Sequence, residues 1–227
     1  MNLKALSLLS LLASATLAFA QSDNKTDTPE PVPGPITDTP GLPRVLIIGD
    51  SISIGYTTPV RTLLAGKANV HRIPVNGSST GYGLENLKKW LGEGKWDVIH
   101  FNFGLHDAKQ LPEGLRHADP DVYEKNLREI VKQLKATGAK LIWATTTPVP
   151  DGGKLSPTRR FDDIAIYNGA AKKVMAENGV AIDDLNAAIS PKVKSFQIPH
   201  DVHYTKEGSQ LLGERVAASI QSQLPKK

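Results

Sequence analysis

Cysteine is absent from the 227 residues. That absence excludes disulfides, thiolate zinc sites, iron–sulfur clusters, a cysteine nucleophile and the lipidated cysteine of a bacterial lipoprotein. Aromatic residues are scarce at 6%, and no stripe of arginine alternating with aromatics and no nucleic-acid motif is found. The formal charge is +4, but its lysines and arginines are scattered without a run of five or more, as on a solvated surface. Nucleic acid is therefore not expected as a partner. Beyond the N-terminal segment no apolar run is long enough to span a bilayer, so no stable membrane insertion is expected. What is present is a globular mixture, 40% hydrophobic and 22% charged. The length suits one domain of ordinary size or two small ones.

The N-terminus reads as a targeting segment. Lys4 supplies a positive start, Leu6 to Leu17 is apolar, and Ala18-Phe19-Ala20 has the small-x-small form of a cleavage site. Residues 1–20 are thus expected to be a signal peptide cut after Ala20, leaving the protein secreted or periplasmic. From Gln21 to Pro43 six prolines and four threonines stand among Asp, Glu and Gly. Such a stretch buries too little apolar surface to offset its ordering entropy, and residues 21–43 are expected to form a disordered tether. The folded unit is expected to span residues 44–227.

Within that unit short apolar runs alternate with helical periodicity. Val45 to Ile48 reads as a central strand covered on both faces, followed by a helix from about Ser53 to Ala65. Strands are expected at Val70–Val75, Asp97–Phe103, Lys140–Thr146 and Val180–Ile182. Helices are expected around Leu84, Leu87, Trp90 and Leu91, from Tyr123 to Leu134, from Ile164 to Met175 and from Lys206 to Ser222. Gly138 stops the second of these in the manner of a residue just past a helix end. Alternation of this kind implies a parallel sheet of about five strands in a three-layer α/β/α sandwich. Ligands bind such sheets beyond the carboxyl ends of the strands, where Asp50-Ser51, Asn76 to Gly83, Gly104 to Asp107 and Thr145 to Pro150 fall.

In Gly49-Asp50-Ser51-Ile52-Ser53, a serine in the turn from a buried strand into a helix presents its hydroxyl at the sheet rim. Its backbone N–H lies at the positive end of the helix, where it can hold an oxyanion. The same residues can also act simply as helix caps. In Pro199-His200-Asp201-Val202-His203-Tyr204, a histidine with a carboxylate beside it suits a general base held in one tautomer. A metal reading would use His200, Asp201 and His203 together, but three candidates within four residues rarely complete a site without a distant fourth. Gly104-Leu105-His106-Asp107 places polar donors just after a central strand. Asn76 to Gly83 is a Gly- and Ser-bearing loop that lets backbone N–H groups approach a ligand, and it lacks P-loop spacing and lysine.

Together these four blocks, in this order, resemble the SGNH (GDSL) hydrolase family over nearly the whole folded unit, Arg44 to about Leu224. The resemblance implies a flavodoxin-like α/β/α fold and ester hydrolysis through an acyl-serine intermediate, with no cofactor and no metal. It makes Ser51 the nucleophile and His203 the base. Gly81, five residues after Asn76, matches the oxyanion-hole glycine, with Gly77 as the alternative. The family's third block usually reads G-x-N-D, so here the side-chain donor is His106, or has moved to Asn102. The family's last block usually reads D-x-x-H, whereas His200 stands three before His203 and Asp201 only two before. Either Asp201 or a backbone carbonyl then orients the base. A secreted domain without a lid-like insertion suggests short acyl groups, acetyl above all, on a small-molecule or polysaccharide alcohol. Lysophospholipase or thioesterase action on longer acyl chains, a metal-dependent deacetylase and a non-catalytic carbohydrate-binding relative are the alternatives.

Overall fold

The computed structural model describes residues 31–111, 114–150, 155 and 158–225. The expected signal peptide lies outside the described residues. Five strands, β1 (Arg44–Ile48), β2 (Asn69–Arg72), β3 (Val98–Phe101), β4 (Lys140–Ala144) and β5 (Ala181–Asp183), form one sheet. Its order is β2-β1-β3-β4-β5 and every pairing is parallel. The helices are α1 (Ser51–Leu63), α2 (Thr80–Leu91), α3 (Pro120–Ala136), α4 (Phe161–Asn178), α5 (Leu185–Ile189), α6 (Val193–Phe196) and α7 (Lys206–Gln223). The α/β/α sandwich expected from the alternation, flavodoxin-like as the resemblance implies, is the observed architecture.

Two cores sandwich the sheet. Leu46, Ile48, Ile99, Phe101, Leu141 and Trp143 face one way and pack with residues of α2, α3 and α4. Val45, Ile47, Val98, Ile142 and Ala144 face the other way, onto α1, α5 and α7. Strand residues with successive side chains on opposite faces account for this division, and burial on both faces accounts for the unbroken apolar run of β1. On the second side α1 and α7 cross closely. A Cβ on Gly213 would lie 2.5 Å from the Pro59 Cβ, so only glycine admits the approach. Pro59 sits inside α1, on the face that α7 covers.

Strands β3 and β4 end earlier than the expected Phe103 and Thr146, because side chains there take over the backbone pairing. The Asn102 amide donates to the Ala144 carbonyl at 2.7 Å. The Thr146 N–H donates to Asn168 Oδ1 at 2.8 Å, and the Phe103 carbonyl accepts from the Tyr123 and Thr146 hydroxyls. The chain is thereby released from the ladder into loops at the rim. The helices α5 and α6, five and four residues long, are too short to show a period in the sequence. Asp184 starts α5 by accepting from the Ala187 N–H. Of the expected tether, the last residues contact β2 and its neighbours: Thr39 exchanges two hydrogen bonds with Asn69, and Asp38 pairs with Arg44 and His71.

Candidate active site

Asp50, two residues beyond the end of β1, begins the helix. It is buried, and its Oδ1 accepts the Ile52 N–H at 3.0 Å, which makes it the cap of α1. Burial pushes its carboxyl pKa upward, against the pull of the Ile52 N–H and the charges of Arg159, His203 and Arg72. Ser51 is therefore the first residue of α1, two earlier than the apolar pattern indicated. The first N–H groups of a helix have no intrahelical acceptor, so that of Ser51 is available at the positive end of α1.

The turn is braced from below by Arg72, at the end of β2. Its guanidinium donates to the carbonyls of Gly49, Asp50, Ile73 and Val75 and to the Ser53 hydroxyl, at 2.7–3.1 Å. Burial lowers its pKa to about 10, still well above neutrality. This arginine had no motif to announce it in the sequence. The two terminal nitrogens of its planar fork reach several convergent carbonyls at once, which a single ammonium cannot do.

Across the rim stands the loop before α7. The Ser51 hydroxyl lies 2.7 Å from His203 Nε2, and His203 Nδ1 lies 2.6 Å from Asp201 Oδ1. Asp201 Oδ1 also accepts the His203 backbone N–H at 3.1 Å. A carboxylate only two residues away reaches the ring because of this turn. His200 takes a left-handed backbone, φ 60°, and the Asp201 N–H closes onto the Ile198 carbonyl. With Nδ1–H facing the carboxylate, Nε2 is left to accept the serine proton.

His106 lines the same cleft, which has a volume of about 340 Å³ and also includes Ser51, Asn76, Lys109, Arg159 and His203. Burial, first, and then the positive charges of Lys109 and Arg159 lower the His106 pKa to about 3. The ring is neutral and so donates from one nitrogen only. Its Nδ1 is 3.2 Å from the Ser78 hydroxyl. If that hydroxyl donates, Nε2 carries the hydrogen. Ser78 is held at φ 53° by an N–H bond to Asn76 Oδ1. A left-handed non-glycine residue of this kind stores about 1 kcal/mol or more of strain.

The alternative donor, Asn102, is occupied. Its amide donates to the Ala144 carbonyl at 2.7 Å and to Thr146 Oγ1 at 3.4 Å, and the side chain borders a separate narrow cavity with Asp50, Ser53 and Tyr56. The Gly77 N–H is likewise spent, on the Gly49 carbonyl at 2.9 Å. Gly81 is the second residue of α2 and is not among the residues that line the cleft. Asp107 is buried and accepts the Thr80 N–H and hydroxyl, so it caps α2 from the neighbouring loop, where Ser79 makes no side-chain cap. Gly104, φ 138°, opens that loop, and a Cβ there would meet Thr146 Oγ1 at 2.5 Å. Arg159 secures its centre by donating to the Leu105 carbonyl at 2.6 Å. Neither Arg159 nor Lys109 was singled out by any sequence pattern. Among the described residues no three His, Asp or Glu side chains converge to hold a metal, and no helix is long and apolar enough to cross a membrane.

Residues 47–211 match the family model described as the GDSL-like lipase/acylhydrolase family. An arylesterase from Vibrio mimicus is 29% identical over 122 residues, 49% of this chain and 58% of the relative, so the match spans little more than half of that protein. A lipase/acylhydrolase from Enterococcus faecalis superposes with a TM-score of 0.70 at 25% identity, over 82% of this chain and 99% of the other. An acetylxylan esterase from Geobacillus stearothermophilus shares the fold, with a TM-score of 0.66 at 20% identity over 78% of this chain and 94% of its own.

Proposed function

Because this chain belongs to the GDSL-like lipase/acylhydrolase family, we propose that it is a serine esterase that hydrolyses short acyl esters, acetyl above all, on carbohydrate alcohols. The observation that carries the reading is the unbroken line Ser51 Oγ, His203, Asp201, with 2.7 and 2.6 Å between successive polar atoms. Ser51 attacks the ester carbonyl while His203 Nε2 takes its proton. The negative charge that develops on the carbonyl oxygen is met by the Ser51 N–H and the neutral His106 ring. The protonated His203, steadied by Asp201, gives its proton to the leaving alcohol. Water then enters by the same route and releases the acid and free Ser51. A cleft of only about 340 Å³, where Ile54, Leu155 and Val202 stand among polar and charged side chains, favours a small acyl group on a polar alcohol. The apolar N-terminal run supports export of the enzyme to where such polymers lie.

The test is hydrolysis of p-nitrophenyl acetate and octanoate, with and without EDTA, by the wild type and Ser51→Ala. The acetate should be turned over faster, with no loss on chelation, and Ser51→Ala should be inert though folded. A phosphonofluoridate should label Ser51 alone. Labelling of Ser53 or Ser78 with Ser51 untouched would remove the nucleophile assignment. Loss on chelation with rescue by zinc would move the protein to the metal-dependent deacetylases, and a preference for octanoate to the long-chain acylhydrolases.

A further inference from the structure

We propose that the cleft takes an ester carrying an oxyanion close to the scissile bond, and that Lys109 is the residue that selects it. This deepens the esterase reading and rests on it. Two cations, Lys109 and Arg159, line the cleft together with Ser51. Among the described residues that line it, Asp201 is the one carboxylate, and it is engaged by His203 at 2.6 Å. Arg159 is committed through its Nε to the Leu105 carbonyl.

Lys109 differs from its neighbour. It is only partly exposed, and among the described residues no carboxylate lies within ion-pair distance of its ammonium. Lys132, Lys172 and Lys173 have acidic partners and most other lysines do not, but all of these are exposed to water, whereas among the described residues Lys109 is the one lysine that is partly buried. A partly desolvated charge without a counter-charge costs free energy, and a protein surface sheds it unless a ligand supplies the missing partner. Burial, first, and then the charge of Arg159 lower the Lys109 pKa, with the Asp50 carboxylate acting against them. An oxyanion in the cleft would relieve both effects.

The backbone also holds this lysine in place. Its N–H donates to the His106 carbonyl, its carbonyl accepts from His117, and the Gln110 N–H donates to Thr158. The ammonium is therefore presented from the same rigid turn as the His106 ring, which places charge recognition next to the reacting carbonyl. A polymer of acetylated acidic sugars has this chemistry, with a carboxylate or a sulfate a few bonds from the ester.

The experiment compares three acetate esters, those of 4-hydroxybenzoate, 4-hydroxybenzenesulfonate and the neutral 4-hydroxybenzamide, on wild type, Lys109→Met and Lys109→Arg. The variant-to-wild-type ratio of kcat/KM for each ester cancels leaving-group differences. For Lys109→Met that ratio should fall about tenfold further on the anionic esters than on the amide, the size of one lost charge-assisted contact. Lys109→Arg should restore most of the difference. In the wild type the anionic preference should shrink as salt rises from roughly 0.05 to 0.5 M. A larger loss on the carboxylate than on the sulfonate would assign the site to acidic sugars, and the reverse to sulfated ones. Equal losses on all three esters, or no anionic preference in the wild type, would overturn the proposal. Wild-type turnover of the neutral amide tells the two readings apart. If it occurs without anionic preference, only this inference fails, and if no ester is hydrolysed, the esterase reading itself fails.

Discussion

Asp50 and Ser51 divide one turn between two tasks: the carboxylate caps the helix, and the hydroxyl is left free to face His203. A comparable division governs His106, where burial removes the charge and thereby selects a single donor nitrogen. If that nitrogen serves the oxyanion, His106→Ala should lower kcat by roughly 10²–10³ with little change in KM, since the charge exists only in the transition state. His106→Asn should recover a good part of the rate. Asn102→Ala should leave kcat mildly affected, because its amide is already bound to Ala144. The reverse ranking would mean that His106 only packs. The same burial has a consequence for acid stability. The unfolded chain protonates this imidazole near its ordinary value, whereas the folded chain resists protonation down to about pH 3. Between those limits the unfolded state binds more protons, so stability is lost as pH falls through that window. Urea midpoints at pH 7, 5 and 4 should therefore drop less for His106→Asn than for the wild type. Parallel declines would show that the ring is accessible to protons in the folded state.

At the scale of elements, the site depends on how β1 hands over to α1. Four carbonyls and a hydroxyl crowd beneath that turn, and Arg72 satisfies all of them from β2. Arg72→Met keeps much of the volume but removes all five bonds at once, although the Gly49 and Asp50 carbonyls keep other donors. It should cost at least about 3 kcal/mol in urea unfolding, as expected when several buried charge-assisted hydrogen bonds are lost together. It should also lower kcat at temperatures where the variant remains folded, because Ser51 is the next residue along. Arg72→Lys supplies three donors in place of five and should recover only part of the loss. A variant as stable as the wild type would show that water can replace the guanidinium there. Asp107 does comparable work for α2, which lacks a side-chain cap of its own.

At the scale of the molecule, Ser51 and His203 belong to segments 152 residues apart in sequence, brought together as α1 packs against α7. Gly213 permits that approach against Pro59. Gly213→Val should force the helices apart, destabilise the fold by about 1–3 kcal/mol as overpacked sites do, and lower kcat by lengthening the Ser51–His203 contact. Gly169 in α4 is the control, with nothing within 4 Å of an added Cβ. Gly169→Ala should raise stability by about 0.5–1 kcal/mol, the usual gain for a helix interior, and leave kcat unchanged. Thermal midpoints and steady-state rates on one neutral ester would check both.

What the amino-acid order determined by itself was local. Apolar runs with two-face burial specified the five strands, a 3.6-residue period specified the long helices, and their alternation specified a parallel sheet with a polar rim. Ser51, His203 and Asp201 were legible because each sits in a short block beside a strand end or a helix start. Tertiary structure alone decided the rest, since those choices depend on groups distant in the chain. Asn102 looked as able to donate as His106 until Ala144, 42 residues away, claimed its amide. Gly77 lost its N–H to Gly49, and Asp107 turned out to cap a helix that begins 27 residues before it. Arg72 and Lys109 carry no motif, because a brace and an unpaired cation are defined by what surrounds them in space, and neighbouring residues in the sequence hold no record of that.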